Sequence, residues 1–165
     1  MEFFKKIFGR EAVSQEGADD YYEKGKAQVL AAHYRDAISD LDLALKQSPG
    51  HVNALFERGK AKTGIKDFKG AIADFNKLIA IQPKNASAYQ RRAKAKDFLK
   101  DYKGALEDLN TAIRLQPDFS IAYYERALIK IMAMKDKKSA YGDLTTAGVL
   151  GLTIAYDALR EFYNE

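Results

Sequence analysis

Three prolines, Pro49, Pro83 and Pro117, stand 34 residues apart, and the chain around them repeats in step. At common distances before each proline come Ala37, Ala71 and Ala105, then Tyr34, Phe68 and Tyr102, then Gly25, Gly59 and Ala93, then Tyr21, Leu55 and Tyr89. Four columns sharing one period constrain the fold more than any single motif does. Such a chain stacks units, each of which buries its apolar face only against its neighbours.

Each unit has helical periodicity, broken once near the middle and once at the proline, and so reads as two helices. Tyr21, Gly25 and Gln28 mark the first helix of the first unit; Ala37, Leu41 and Ala44 mark the second. The next units repeat this with Leu55, Gly59, Lys62, Ala71, Phe75 and Leu78, then Tyr89, Ala93, Lys96, Ala105, Leu109 and Ala112. Asp67 and Asp101 fall where a second helix begins, where a carboxylate accepts from unpaired first-turn amides, and His33 holds that place in the first unit. Glycine or alanine lets paired helices approach closely, larger columns fill the space between neighbours, and proline stops the second helix.

The columns Tyr/Leu, Gly/Ala, Ala, Phe/Leu, Ala/Leu and Pro, agreeing in three successive units, resemble the tetratricopeptide repeat over residues 18–119. That resemblance implies an all-α, right-handed superhelical array of helix-turn-helix repeats. The units are expected at 18–51, 52–85 and 86–119, after an N-terminal amphipathic segment and linker over 1–17. A degenerate fourth unit over 120–152 carries Tyr123, Ala127 and Lys130, but Ala140, Leu144 and Ala147 arrive one residue late, which places an extra residue within Ile131–Met134. Gly151 replaces the proline, and residues 153–165 form a capping helix with Ile154, Ala155, Leu159 and Phe162 on one face and Asp157, Arg160 and Glu161 opposite.

Composition narrows the function. Hydrophobic residues make up 47% and charged residues 30%, as in an ordinary folded domain. There is no cysteine, which removes disulfides, zinc thiolates and cysteine nucleophiles. His33 and His51 sit near helix starts, in turn or capping positions rather than at ligand spacing. No phosphate loop is present and the carboxylates scatter with the repeat, so no enzyme and no cofactor is expected. With no spanning segment and no secretory leader, the chain reads as cytoplasmic, where the sequon Asn85-Ala-Ser87 stays unused.

The resemblance further implies that the first helices line a concave groove holding an extended or helical peptide. Carried onto this sequence, the groove residues are Tyr22, Phe56, Gln90 and Tyr124, then Lys26, Lys60, Lys94 and Leu128 one turn along, with Arg91 beside them. Aromatics beside lysines suit a protein or peptide partner with apolar and acidic residues. The competing reading has Glu23 and Glu57 neutralise Lys26 and Lys60, with the aromatics partly in the core. Chaperone-tail receptors of this family clamp a C-terminal carboxylate. Here Tyr22 and Phe56 replace the first clamp lysine, Lys26 and Lys60 its asparagine, and Ser87 or Ile121 the later lysine, so that role is not expected.

Two other functions compete with peptide binding. Phe3, Phe4, Ile7 and Phe8, flanked by Lys5, Lys6 and Arg10, form an apolar N-terminal face that caps the array, docks in a neighbour's groove to give a homo-oligomer, or touches an anionic membrane. The third unit is basic, with Lys84, Arg91, Arg92, Lys94, Lys96, Lys100 and Lys103. RNA-reading repeats need base-reading side chains in every unit, so a solvated face is the expectation there and no nucleic acid is expected.

Overall fold

The computed structural model describes residues 17–163, and the described residues form nine helices and no strand. They pair as α1 (Ala18–Leu30) with α2 (Tyr34–Gln47), α3 (Val52–Gly64) with α4 (Phe68–Ile81), α5 (Ala86–Phe98) with α6 (Tyr102–Leu115), and α7 (Ser120–Met132) with α8 (Lys137–Val149). A last helix, α9 (Ile154–Tyr163), packs on α8. The first helices of neighbouring units also touch one another, so they form one layer and the second helices another. No helix among the described residues is long and apolar enough to cross a membrane.

The core follows the columns. Ala37, Leu41 and Ala44 of α2, Ala71, Phe75 and Leu78 of α4, Ala105, Leu109 and Ala112 of α6, and Ala140, Leu144 and Ala147 of α8 are all fully buried. Small residues let paired helices approach closely. A methyl group at Gly59 would stand 2.7 Å from the Phe75 ring and one at Gly25 2.6 Å from Leu41 Cγ, whereas Ala93 and Ala127 are accommodated in the third and fourth units, where Leu109 and Leu144 are fully buried.

Second helices begin at side-chain caps where aspartate was expected. Asp67 accepts from the Gly70 amide at 3.0 Å and Asp101 from the Gly104 amide at 3.0 Å. His33 occupies the same place in α2 but makes no side-chain cap bond, while His51 caps α3 by accepting from the Ala54 amide at 3.1 Å. Between paired helices the chain turns through a non-glycine residue in the left-handed region: Ala32, Lys66, Lys100 and Lys135, with φ of 59–64°. This costs roughly 1–2 kcal/mol per residue. Backbone bonds that close the helix end offset it, such as Ala32 N to Val29 O at 3.1 Å and His33 N to Gln28 O at 2.9 Å. In the fourth unit the extra residue sits in this turn, where Asp136 N reaches back to Lys130 O.

A polar ladder joins the two layers. Arg58 donates through Nε to Asp74 Oδ2 at 2.9 Å and through both Nη groups to Asp74 and to Asp42 of the preceding unit. Arg92 does the same with Asp108 and Asn76, and Arg126 with Asp143 and Asn110. A second cation, Lys62, Lys96 or Lys130, closes on the same buried aspartate at 2.7–2.8 Å. Two of the basic residues assigned above to a solvated face, Arg92 and Lys96, are therefore structural. In the first unit the corresponding residue to these lysines is Gln28, whose buried Oε1 has no hydrogen-bond partner among the described residues.

The C-terminal helix keeps the expected face, with Phe162 packed against the core, and departs from expectation at its first residue. It buries Ala155, Ala158 and Leu159, while Ile154 is 49% exposed. Lys137 donates to Phe162 O at 3.0 Å and the Tyr163 hydroxyl to Lys137 O, which tie its end to the start of α8.

Ala105→Leu should overpack the α5–α6 crossing and cost about 1–3 kcal/mol. Asp108→Ala, which strands Arg92 and Lys96, should cost at least about 3 kcal/mol. Exposed Lys84→Ala should stay within about 0.5 kcal/mol. Chemical denaturation of the three variants beside wild type checks this order, and equal midpoints would refute the packing described.

Candidate functional site

On a helix turning about 100° per residue, the ladder arginines lie roughly opposite the residues two before and two after them. Because Arg58, Arg92 and Arg126 face the second-helix layer, Phe56, Gln90 and Tyr124, with Lys60, Lys94 and Leu128, are directed to the other face of the first-helix layer. The structure brings several of them together. Phe56, Gln90, Arg91 and Lys94 line one cavity of about 320 Å³ with Ile121 and Glu125. Lys60, Arg91 and Lys94 line a second, of about 430 Å³, that reaches Leu30, Tyr34 and Phe98. Lys94, Tyr124 and Leu128 line a third, of about 180 Å³, over Ala93 and Leu109.

Tyr22 and Lys26 line none of these three cavities. Tyr22 leans on the His51 ring, 4.9 Å between centroids, and Lys26 pairs with Glu23 at 3.2 Å. Phe56 is edge-on to buried Phe75 at 6.1 Å, so it is partly core. Gln90 is buried and donates to Glu125 at 2.7 Å. Phe3, Phe4, Ile7 and Phe8 lie outside the described residues.

Charge along this face is uneven. Lys26 and Lys60 each pair with a glutamate three residues earlier on their own helix, Lys60 with Glu57 at 2.7 Å. In the third unit Arg91 stands in the glutamate's place, and Lys94 looks instead to Glu125 of the fourth unit, at 3.7 Å. Arg91 is exposed, and the Lys94 side chain is 43% exposed. Exposed Arg91 therefore adds a positive charge at α5 in a column where the other units carry glutamate. Sequence reasoning did not single out Glu125 or Asp97; Glu125 keeps the column of Glu23 and Glu57, and the signal available was the loss of its lysine, since Leu128 stands where Lys26 and Lys60 pair with those glutamates.

A tetratricopeptide repeat family model matches residues 22–86, and a second tetratricopeptide repeat model matches residues 86–119. Among solved structures, MamA from Desulfovibrio magneticus RS-1 superposes with a TM-score of 0.78 at 23% identity, covering 83% of this chain and 77% of that one. The TPR domain of Arabidopsis OM64 gives 0.68 at 26% identity, covering 70% and 95%. The first TPR of Spaghetti (RPAP3), bound to the HSP90 peptide SRMEEVD, gives 0.67 at 25% identity, covering 69% and 90%. No curated protein sequence matches the chain significantly.

Glu125 carries the electrostatic signature of this face. Burial pushes its carboxyl above the usual glutamate range, against the opposing pull of the Gln90 hydrogen bond and of Lys94 and Arg91. Burial likewise raises Asp97, opposed by Lys94. A carboxyl raised on folding binds more protons in the folded than in the unfolded chain, so its contribution to stability is full at acid pH and is lost as pH rises through its folded-state value. Glu125→Gln, which keeps an acceptor for Gln90, should raise the melting midpoint near neutral pH, with the gain vanishing below the ordinary carboxylate range. Thermal melts of both proteins across that pH span check it; a variant destabilised at neutral pH would mean that the ionised carboxylate stabilises the fold.

Proposed function

Because this chain belongs to the tetratricopeptide repeat family, we propose that it works as a protein-interaction module that holds an extended peptide segment against the first helices of its second to fourth units. The observation that carries this reading is the cavity shared by Phe56, Arg91, Lys94 and Ile121, three first helices contributing to one surface. A ligand there meets an aromatic ring on one side and two cations on the other. Neither cation has the glutamate three residues earlier that pairs with Lys26 and Lys60. The partner is a segment with a large apolar side chain close to a carboxylate. The apolar group supplies binding energy in a desolvated pocket, and the carboxylate supplies orientation and association rate.

The peptide-bound structure of Spaghetti (RPAP3) supports the same mode, since its ligand SRMEEVD combines acidic residues with Met and Val. The acid is met differently here. Tyr22 and Phe56 are aromatic where a clamp lysine is expected, so carboxylate recognition falls to Arg91 and Lys94.

Phe56→Leu keeps an apolar contact with Phe75 while shrinking the ring, and should weaken a partner captured by the wild-type protein about tenfold, or about 1.4 kcal/mol. Arg91→Gln should lower the association rate and flatten its dependence on salt, with a smaller effect on dissociation. Surface-based kinetics at low and high ionic strength, on variants first shown to melt like wild type, separate the two effects. Unchanged affinity in both variants would move the binding surface off this face.

A further inference from the structure

The smallest of the three cavities has a chemistry that an apolar or acidic ligand group does not fit. It lies between α5 and α7, floored by Ala93, Leu109 and Ile121, with Leu128 beside them. Into this apolar bowl project two carboxylates, Asp97 and Glu125, and one ammonium, Lys94. The Glu125 side chain is only 16% exposed, yet its close partners are a neutral amide, Gln90 Nε2 at 2.7 Å, and a half-exposed lysine at 3.7 Å. Asp97 makes no ion pair and no side-chain hydrogen bond among the described residues. The titratable groups of the lining thus carry a formal charge of −1, while the adjoining cavity, with Arg91 and Lys94 against Glu125, carries +1.

Resting on the reading of this face as the binding surface, we infer that the α5–α7 cavity is a subsite for a lysine or arginine side chain of the bound peptide. An apolar anchor placed here would bury two carboxylates that share the single countercharge of Lys94, which is costly. A cation supplies the missing countercharge in a partly desolvated place, where a charge-assisted hydrogen bond is worth most. The aliphatic stem of lysine or arginine lies along Leu109, Ile121 and Leu128, and its head reaches the carboxylates. Tyr124 offers a ring face to the same cation. Asp157 and Glu161 of α9 deepen the negative field around Tyr124, whose hydroxyl is held above its ordinary range first by burial and then by these two carboxylates. No group of three or more metal-ligating side chains occurs among the described residues, so the countercharge is assigned to a ligand side chain and not to a metal ion. Since both cavities share Lys94, Ile121 and Glu125, the recognised segment carries an acid and a base within a few residues of one another.

A phage-displayed library of random peptides, selected in parallel on wild type, on the Asp97→Asn/Glu125→Gln double variant and on Arg91→Gln, tests this. Wild type should enrich peptides with Lys or Arg at a fixed short spacing from Asp or Glu. The double variant should lose the basic enrichment and keep the acidic one, and Arg91→Gln should do the reverse. A selected peptide in which that lysine is changed to methionine should bind wild type at least about tenfold more weakly and the double variant equally well. Enrichment of acidic and apolar residues with no basic preference, or a basic preference that survives in the double variant, would overturn the subsite alone. Selected sequences unaffected by Arg91→Gln and the double variant alike would overturn the groove reading with it.

Discussion

The arrangement of this array depends on one interaction used three times: an arginine fork on a buried aspartate of its own unit, with the third nitrogen reaching a side chain of the unit before. Arg58, Arg92 and Arg126 each link first helix to second helix and unit to unit in a single group. Coulomb energy alone is weak evidence of stability for such pairs, because desolvation offsets most of it. What the fork adds is geometry. A planar donor with two bonds to one carboxylate tolerates little rotation or slip, so the ladder sets the register that the apolar columns fill.

The fourth unit is a natural test of that constraint. Its inserted residue lengthens the separation of Arg126 and Asp143 to 17 residues from the 16 that separate Arg58 and Asp74, yet the Nε bond is 2.9 Å in both. The insertion is taken up in the turn around Lys135, and α8 keeps its placement on α7. A loop residue costs little entropy, whereas a ladder carboxylate out of place strands two cations. The packing order therefore runs from the ladder outward, and the turn accommodates it.

The repeat, the paired helices, the aspartate caps and the small-residue columns were legible because each depends on residues near in sequence or on the 34-residue period. The ladder was written in the same period, with Arg58, Arg92 and Arg126 one repeat apart, but its partners lie 16 or 17 residues away, beyond the three- and four-residue spacings by which charges on a helix are judged. Arg92 and Lys96 read as solvated for that reason. The chemistry of Glu125 was less accessible still, since its burial depends on Gln90 and Lys94 from the neighbouring unit. On the C-terminal helix Ala155, Leu159 and Phe162 pack on the expected face, whereas Ile154 at the first turn is half-exposed and Ala158 is buried as well.

Function in a stacked repeat has to come from places where one unit departs from the others, because a strictly repeated surface offers the same contact everywhere and selects nothing. On the first-helix face the departures cluster. Glutamate gives way to Arg91 only in the third unit, and that single exchange has two effects. It leaves Lys94 without the glutamate three residues earlier that Lys26 and Lys60 have, and it turns Lys94 toward Glu125 across the unit boundary. Lys94 is then shared between a cavity that is net basic and one that is net acidic. In the fourth unit Leu128 replaces the groove lysine, which removes the cation that would neutralise Glu125 from its own helix and leaves Gln90 as its close hydrogen-bond partner. The raised Glu125 carboxyl follows from this arrangement, since burial outweighs the pull of the Gln90 hydrogen bond and of Lys94 and Arg91.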